Sequence, residues 1–266
     1  MVWQTISDEK LLKTKCHFSN DTEVTQWYAI AYEILILTYG PEWIRDNYNP
    51  KSNKLNLFFQ NLTEFEHQDK MIVLGHLLYK LKDCKGFDEL IDRYKFKDLN
   101  GLLWELEAAE RFYVANYEVE FNIGNMLKGN DFDLIVIKDD ITFFVEAKNR
   151  VADINDEKSI SNALIKARRQ LPKKGNGIII ISVPFDVTIK NFAELTITKI
   201  IEDFLRNTTR IKYIILQWYE LEKLEPGGLA KYVIFREIAN KKNTNLPVKL
   251  LEIGKPFVFI PSFWKQ

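Results

Sequence analysis

Asp133, Glu146 and Lys148 are the residues of this chain whose types and spacing suit them to act together chemically. They lie within Asn130 to Arg150, NDFDLIVIKDDITFFVEAKNR. There two β-branched or aromatic runs, Phe132 to Ile137 and Thr142 to Ala147, are split by Lys138-Asp139-Asp140-Ile141. The pattern predicts a hairpin with Asp139-Asp140 at its tip. A two-residue loop sets Asp133 opposite Glu146 and Asp131 opposite Lys148. All four then project from one face, because strand side chains alternate with period 2. Carboxylates so opposed, about 4.5–5.5 Å apart at Cβ, destabilise a sheet unless positive charge sits between them. A divalent cation answers that need. Mg²⁺, with Mn²⁺ as its substitute, suits two hard oxygen ligands better than zinc does, since no His or Cys lies nearby. Lys148 is placed to hold a water or a scissile phosphate beside it.

The elements around this cluster must make it more than a solvated face. Leu134 to Ile137 and Phe143 to Val145 are apolar at both parities, which predicts a central hairpin covered on both sides. Charges at the end of such a sheet are costly unless paired or metal-bound. Upstream, Leu102 to Tyr117 reads as a helix leading into a strand, Glu118 to Ile123. Glu105 has Leu102, Ala108, Ala109 and Phe112 at helical offsets and so points inward, whereas Glu107 reads as a surface i,i+4 pair with Arg111. Downstream, Ser159 to Leu171 is an amphipathic helix with Ile160, Leu164, Ala167 and Leu171 inward. Lys166, Arg168, Arg169, Lys173 and Lys174 gather at its carboxyl end. Such a cluster fits phosphate contact, and equally a helix end whose dipole favours cations. Gly177 to Val183 is a buried strand, Asn191 to Arg206 a helix, and Tyr213 to Trp218 and Tyr232 to Phe235 further strands. The apolar tail from Pro247 to Trp264 is expected to pack on the core.

Asp133, then Glu146-Ala147-Lys148, resembles the D...(D/E)-x-K signature of the PD-(D/E)XK nuclease superfamily, over roughly Gly101 to Pro184. The family's first position, usually Pro, is Phe132 here. The resemblance implies an α/β fold, with a restriction endonuclease-like core of central mixed β-sheet flanked by helices in the order α-β-β-β-α-β. It implies Mg-dependent phosphodiester hydrolysis, leaving a 5′-phosphate, with DNA as substrate and RNA not excluded. Asp133, Glu146 and Glu105 would hold the metal, with Lys148 catalytic. Gln170, which matches a glutamine of the family's following helix, would contact substrate with Arg169, Lys166 and Lys173. A homodimer would supply two sites for two strands.

The rest of the chain sets limits. With 266 residues, 46% of them hydrophobic, a sizeable core can form. Lys and Arg together equal Asp and Glu at 37 each, so any basic surface is local. Cys16 and Cys84 have no metal-ligand spacing and read as reduced thiols of a cytoplasmic protein. No signal-peptide pattern opens the sequence, and Tyr28 to Tyr39 is too short to span a bilayer, so no membrane partner is expected. Residues 1–97 form a helical region ahead of a nuclease-like domain, 98–266. Within it Trp27, Ile30, Ala31, Leu35 and Tyr39 make one stripe and Met71, Val73, Leu74, Leu77, Leu78 and Leu81 another, while Asn47 to Asn53 reads as a loop. His17, His67 and His76 read as packing or surface residues. Two further readings stay open: a nucleic-acid-binding module of the same fold without cleavage, and an α/β interaction protein in which Lys148 neutralises Asp131.

Overall fold

The computed structural model describes residues 6–48, 56, 59–60, 64–123, 131–148, 157–182, 190–224, 228–242, 250–251 and 257–258. The Asn49 to Asn53 part of the expected loop and nearly all of the Pro247 to Trp264 tail lie outside these residues. Two compact units divide the chain, Met1–Glu110 with Ile260–Gln266, and Arg111–Phe259.

The first unit is helical: α1 (Asp8–His17), α2 (Glu23–Tyr39), α3 (Pro41–Asn47), α4 (Glu64–Leu81), α5 (Phe87–Tyr94) and most of α6 (Leu99–Val114). Thr22 caps α2, its hydroxyl accepting from the Thr25 amide. Gly40, at φ 89°, turns the chain into Pro41, which opens α3. α2 buries Ile30, Ala31, Ile34 and Leu35, and α4 buries Met71, Leu74, Leu77 and Leu78. Gly75 lets the two helices meet closely: a Cβ there would lie 2.6 Å from Ala31 Cβ and 2.7 Å from Ala31 Cα.

The second unit is an open mixed sheet with helices. Its strands are β1 (Glu118–Phe121), β2 (Leu134–Lys138), β3 (Ile141–Lys148), β4 (Asn176–Ser182), β5 (Ile211–Leu224), β6 (Gly228–Ala239) and the two-residue β7 (Phe257–Val258), in spatial order β1 to β7. β3 pairs with β4 and β4 with β5 in parallel, and the other pairs are antiparallel. Parallel neighbours need crossovers, supplied here by α7 (Glu157–Gln170) and α8 (Lys190–Arg206). The isoleucine run of β4 is buried throughout, as a central parallel strand requires. Ile160, Leu164, Ala167 and Leu171 pack with Ile197, Ile201 and Leu205 of α8 over Ile179, Ile181, Ile214 and Leu216. Each such Ile or Leu side chain contributes about 1.5–3 kcal/mol when fully buried. Phe112, Tyr117, Phe143 and Tyr213 form a chain of edge-on ring contacts, with centroids 5.3, 6.5 and 6.1 Å apart.

The expected hairpin is present. Leu134 pairs with Val145 and Lys138 with Ile141, leaving Asp139 and Asp140 as the loop at φ 50° and 61°. Two successive positive φ values mark the type I′ geometry that matches strand twist. One expectation is corrected: Glu107 and Arg111 are not at the surface but are 5% and 3% exposed. The Arg111 guanidinium carbon lies 4.4 Å from the centroid of the Phe235 ring. Glu110 is also buried, taking hydrogen bonds from Lys80 at 2.8 Å and sharing one with His76 at 3.0 Å. Helical periodicity shows one apolar stripe and cannot show that the polar side of α6 is covered too.

Candidate active site

The hairpin register brings Asp133, Glu146 and Lys148 to one end of β2 and β3. Asp133 sits one residue before β2, where its amide still donates to the Val145 carbonyl at 3.0 Å and its carboxylate Oδ2 accepts from the Ala147 amide at 2.7 Å. The side chain thus bridges the strand end and fixes its own orientation. Glu146 is 1% exposed. It shares a face with Lys148 by strand alternation, and the Lys148 ammonium donates to Glu146 Oε1. The same ammonium donates to Gln170 Oε1 at 2.7 Å, and Gln170 Nε2 donates to the Asp131 carbonyl at 2.9 Å. The Asp131 amide returns a hydrogen bond to the Gln170 carbonyl at 3.3 Å. The end of α7 is therefore tied to the strand end at three points, with Lys148 held between helix and sheet.

Lys148 turns to Glu146 and Gln170, not across to Asp131, whose side chain is exposed. This is the expected outcome of burial: the enclosed carboxylate needs the cation and the solvated one does not. Glu105 points inward as expected, at 7% exposed. Its two oxygens are engaged within the helical unit, Oε1 by the Tyr94 hydroxyl at 2.6 Å and Oε2 by the Arg93 guanidinium. Burial pushes its carboxyl above the usual range, against the opposing pull of Arg93 and Tyr94. Among the described residues no group of three or more His, Cys, Asp and Glu gathers as metal ligands.

Lys166, Arg169, Lys173 and Lys174 are exposed around the end of α7, while Arg168 lies half-buried 5.5 Å from the Phe204 ring centroid. Arg210, which no sequence pattern marks, donates to the Arg168 carbonyl and, at 3.3 Å, to that of Leu171. It caps the carboxyl end of α7, where a cation is favoured. Asn122 is a further such residue: its side chain donates to the Phe132 carbonyl at 2.7 Å and its amide to that of Asp133 at 2.8 Å, bracing the backbone that presents Asp133. Its place just after β1 and beside the hairpin was the available signal.

Asp133 and Glu146 fit a hard divalent cation as a donor set. Both supply oxygen, and the enclosed Glu146 is also paired with the Lys148 ammonium. Mg²⁺ takes one or two carboxylates and fills its other positions with water and phosphate oxygens. Cys16 and Cys84 are both free thiols. No helix among the described residues is long and apolar enough to cross a membrane. The chain matches no family model, no curated protein and no solved structure.

Proposed function

We propose that this chain is a metal-dependent nuclease of the PD-(D/E)XK type that hydrolyses phosphodiester bonds in DNA. The observation that carries the reading is the buried Glu146, bonded to Lys148 and flanked by the anchored Asp133, with Gln170 holding the lysine from the next helix. The element order α6, β1, β2, β3, α7, β4 supports it, since the restriction endonuclease-like core has that order.

Asp133 and Glu146 hold the cation, Mg²⁺ or Mn²⁺, which when bound supplies positive charge at the phosphate and lowers the pKa of water. Lys148 has three N–H donors. Two are used by Glu146 and Gln170, which leaves one for a phosphate oxygen or the attacking water. Gln170 spends its amide on Lys148 and Asp131, so it positions the lysine. The exposed Lys166, Arg169 and Lys173 contact backbone phosphates, contributing affinity without sequence preference. The resemblance implies Glu105 as a third ligand, whereas its two oxygens are taken by Arg93 and Tyr94 within the helical unit, and its replacement separates the two roles: Glu105→Gln that loses cleavage at unchanged Tm marks a ligand, and one that loses Tm alone marks the partner of Arg93.

Plasmid, branched DNA, single-stranded DNA and RNA are incubated with the protein in Mg²⁺, Mn²⁺ and EDTA, beside Asp133→Asn. The expected result is cutting of DNA in either metal, absent in EDTA and in the variant. Cutting that survives EDTA, or no cutting of any substrate, would overturn the proposal.

A further inference from the structure

Phe96 is 89% exposed, far beyond any other large apolar side chain among the described residues. It lies between α5 and α6 within Lys95-Phe96-Lys97, and the backbone on either side of it is tied to buried side chains. The Trp43 indole N–H donates to the Lys95 carbonyl at 2.6 Å, and the Asn56 amide donates to the Lys97 carbonyl at 2.8 Å. Asn56 Oδ1 also accepts from the Leu99 amide at 3.3 Å, and the Lys97 amide closes the turn on the Tyr94 carbonyl at 3.1 Å. These hydrogen bonds hold the backbone on both sides of Phe96, whose ring stands exposed.

Its neighbours in sequence, Lys95 and Lys97, are both cations, the second also acting on the buried Glu105. Lys97 is exposed, its ammonium 5.7 Å from the Tyr94 ring centroid. The nearest acid beyond it, Asp98, turns its carboxylate to the start of α6, accepting from the amide and side chain of Asn100 at 3.1, 2.8 and 3.0 Å. A protein-docking surface is a contiguous apolar patch, whereas a single exposed ring flanked in sequence by lysines matches the way unpaired bases stack on aromatic side chains while cations follow the phosphates.

We propose that Phe96 is a stacking platform for an unpaired base of single-stranded nucleic acid, with Lys95 and Lys97 beside its backbone. The inference rests on the nuclease reading above for its ligand, a nucleic acid, and adds a site for unpaired strand on the helical unit. The test is fluorescence anisotropy of labelled oligothymidine with the full chain carrying Glu146→Gln, in EDTA, so that binding is read without cleavage. Phe96→Ala is expected to weaken binding by about 10-fold at unchanged Tm, and Phe96→Trp to retain it. Lys97→Ala is expected to reduce the slope of log affinity against log salt by about 1. Equal affinity of the Phe96→Ala protein, absence of oligothymidine binding, or an effect confined to self-association in sedimentation would overturn it. Binding that depends on Phe96 without metal-dependent cleavage would remove the nuclease reading and leave this one. Cleavage without any effect of Phe96→Ala would do the reverse.

Discussion

At the scale of the residue, the two-residue turn at Asp139-Asp140 fixes the register of the hairpin, and register fixes which side chains meet. Asp133, Glu146 and Lys148 therefore followed from the hairpin alone. What the lysine chooses did not follow, since Asp131 and Glu146 both stand within its strand-end neighbourhood and only burial separates them. That choice sets a prediction. Lys148→Ala should lower cleavage by about 10²–10³-fold. It should also destabilise the protein by about 3–5 kcal/mol, because it leaves Glu146 enclosed and uncompensated. Added Mg²⁺ should return part of the lost Tm, as a cation bound only by the folded state does. A Tm equal to the parent's in EDTA would contradict the pairing. A second residue is a cost the fold carries: the Tyr39 hydroxyl is buried with no hydrogen-bond partner among the described residues, and burial pushes its pKa up. Tyr39→Phe should raise stability by about 1 kcal/mol, measured by denaturant unfolding. A loss of stability would show that the hydroxyl is satisfied.

At the scale of the element, the strands and helices of the sheet unit were the more readable part. The period-3.6 stripe of α7 admits one placement, apolar side to the sheet, and the isoleucine run of β4 another, in the middle of the sheet, while β5 and β6 simply run longer than their apolar segments. α6 was half readable. Glu105 stood in an apolar stripe, but Glu107 and Arg111 looked like a solvated pair, and their burial depends on what covers the other side of the helix. The α2 and α4 contact was not readable either, because a glycine in a helix signals only a weak propensity until the facing residue is known. Here it faces Ala31, and the contact gives a prediction. Gly75→Ala forces a Cβ against Ala31 at 2.6 Å. Overpacking costs about 1–3 kcal/mol, and helix propensity returns about 1 kcal/mol. A net loss of stability is therefore expected on denaturant unfolding. A gain would mean that α2 and α4 can separate freely.

At the scale of the whole molecule, positive and negative side chains balance at 37 each, so the exposed cations at the end of α7 and beside Phe96 in sequence make only local positive surface. Buried tyrosines set an alkaline limit on the fold. The Tyr117 and Tyr213 hydroxyls are pushed up to about 12, chiefly by burial and further by Glu237. A pKa higher in the folded than in the unfolded chain means that the folded state holds its protons longer. The resulting stability is complete below the ordinary tyrosine value of 10.0 and is lost as pH rises through about 12. Tm should fall over that interval and fall less in Tyr213→Phe; an unchanged Tm across it would contradict this origin.

The most direct measurement of the central claim is the rate of DNA cleavage as Mg²⁺ is titrated, for the parent and for Glu146→Gln, with Tm recorded for both. Glutamine keeps the shape and a hydrogen-bond acceptor for Lys148 while removing the charge that would hold the cation. The expected result is Mg²⁺-dependent cleavage by the parent and none by a variant that remains folded. Equal rates at equal Mg²⁺ would show that Glu146 is not part of a metal site and would end the nuclease account.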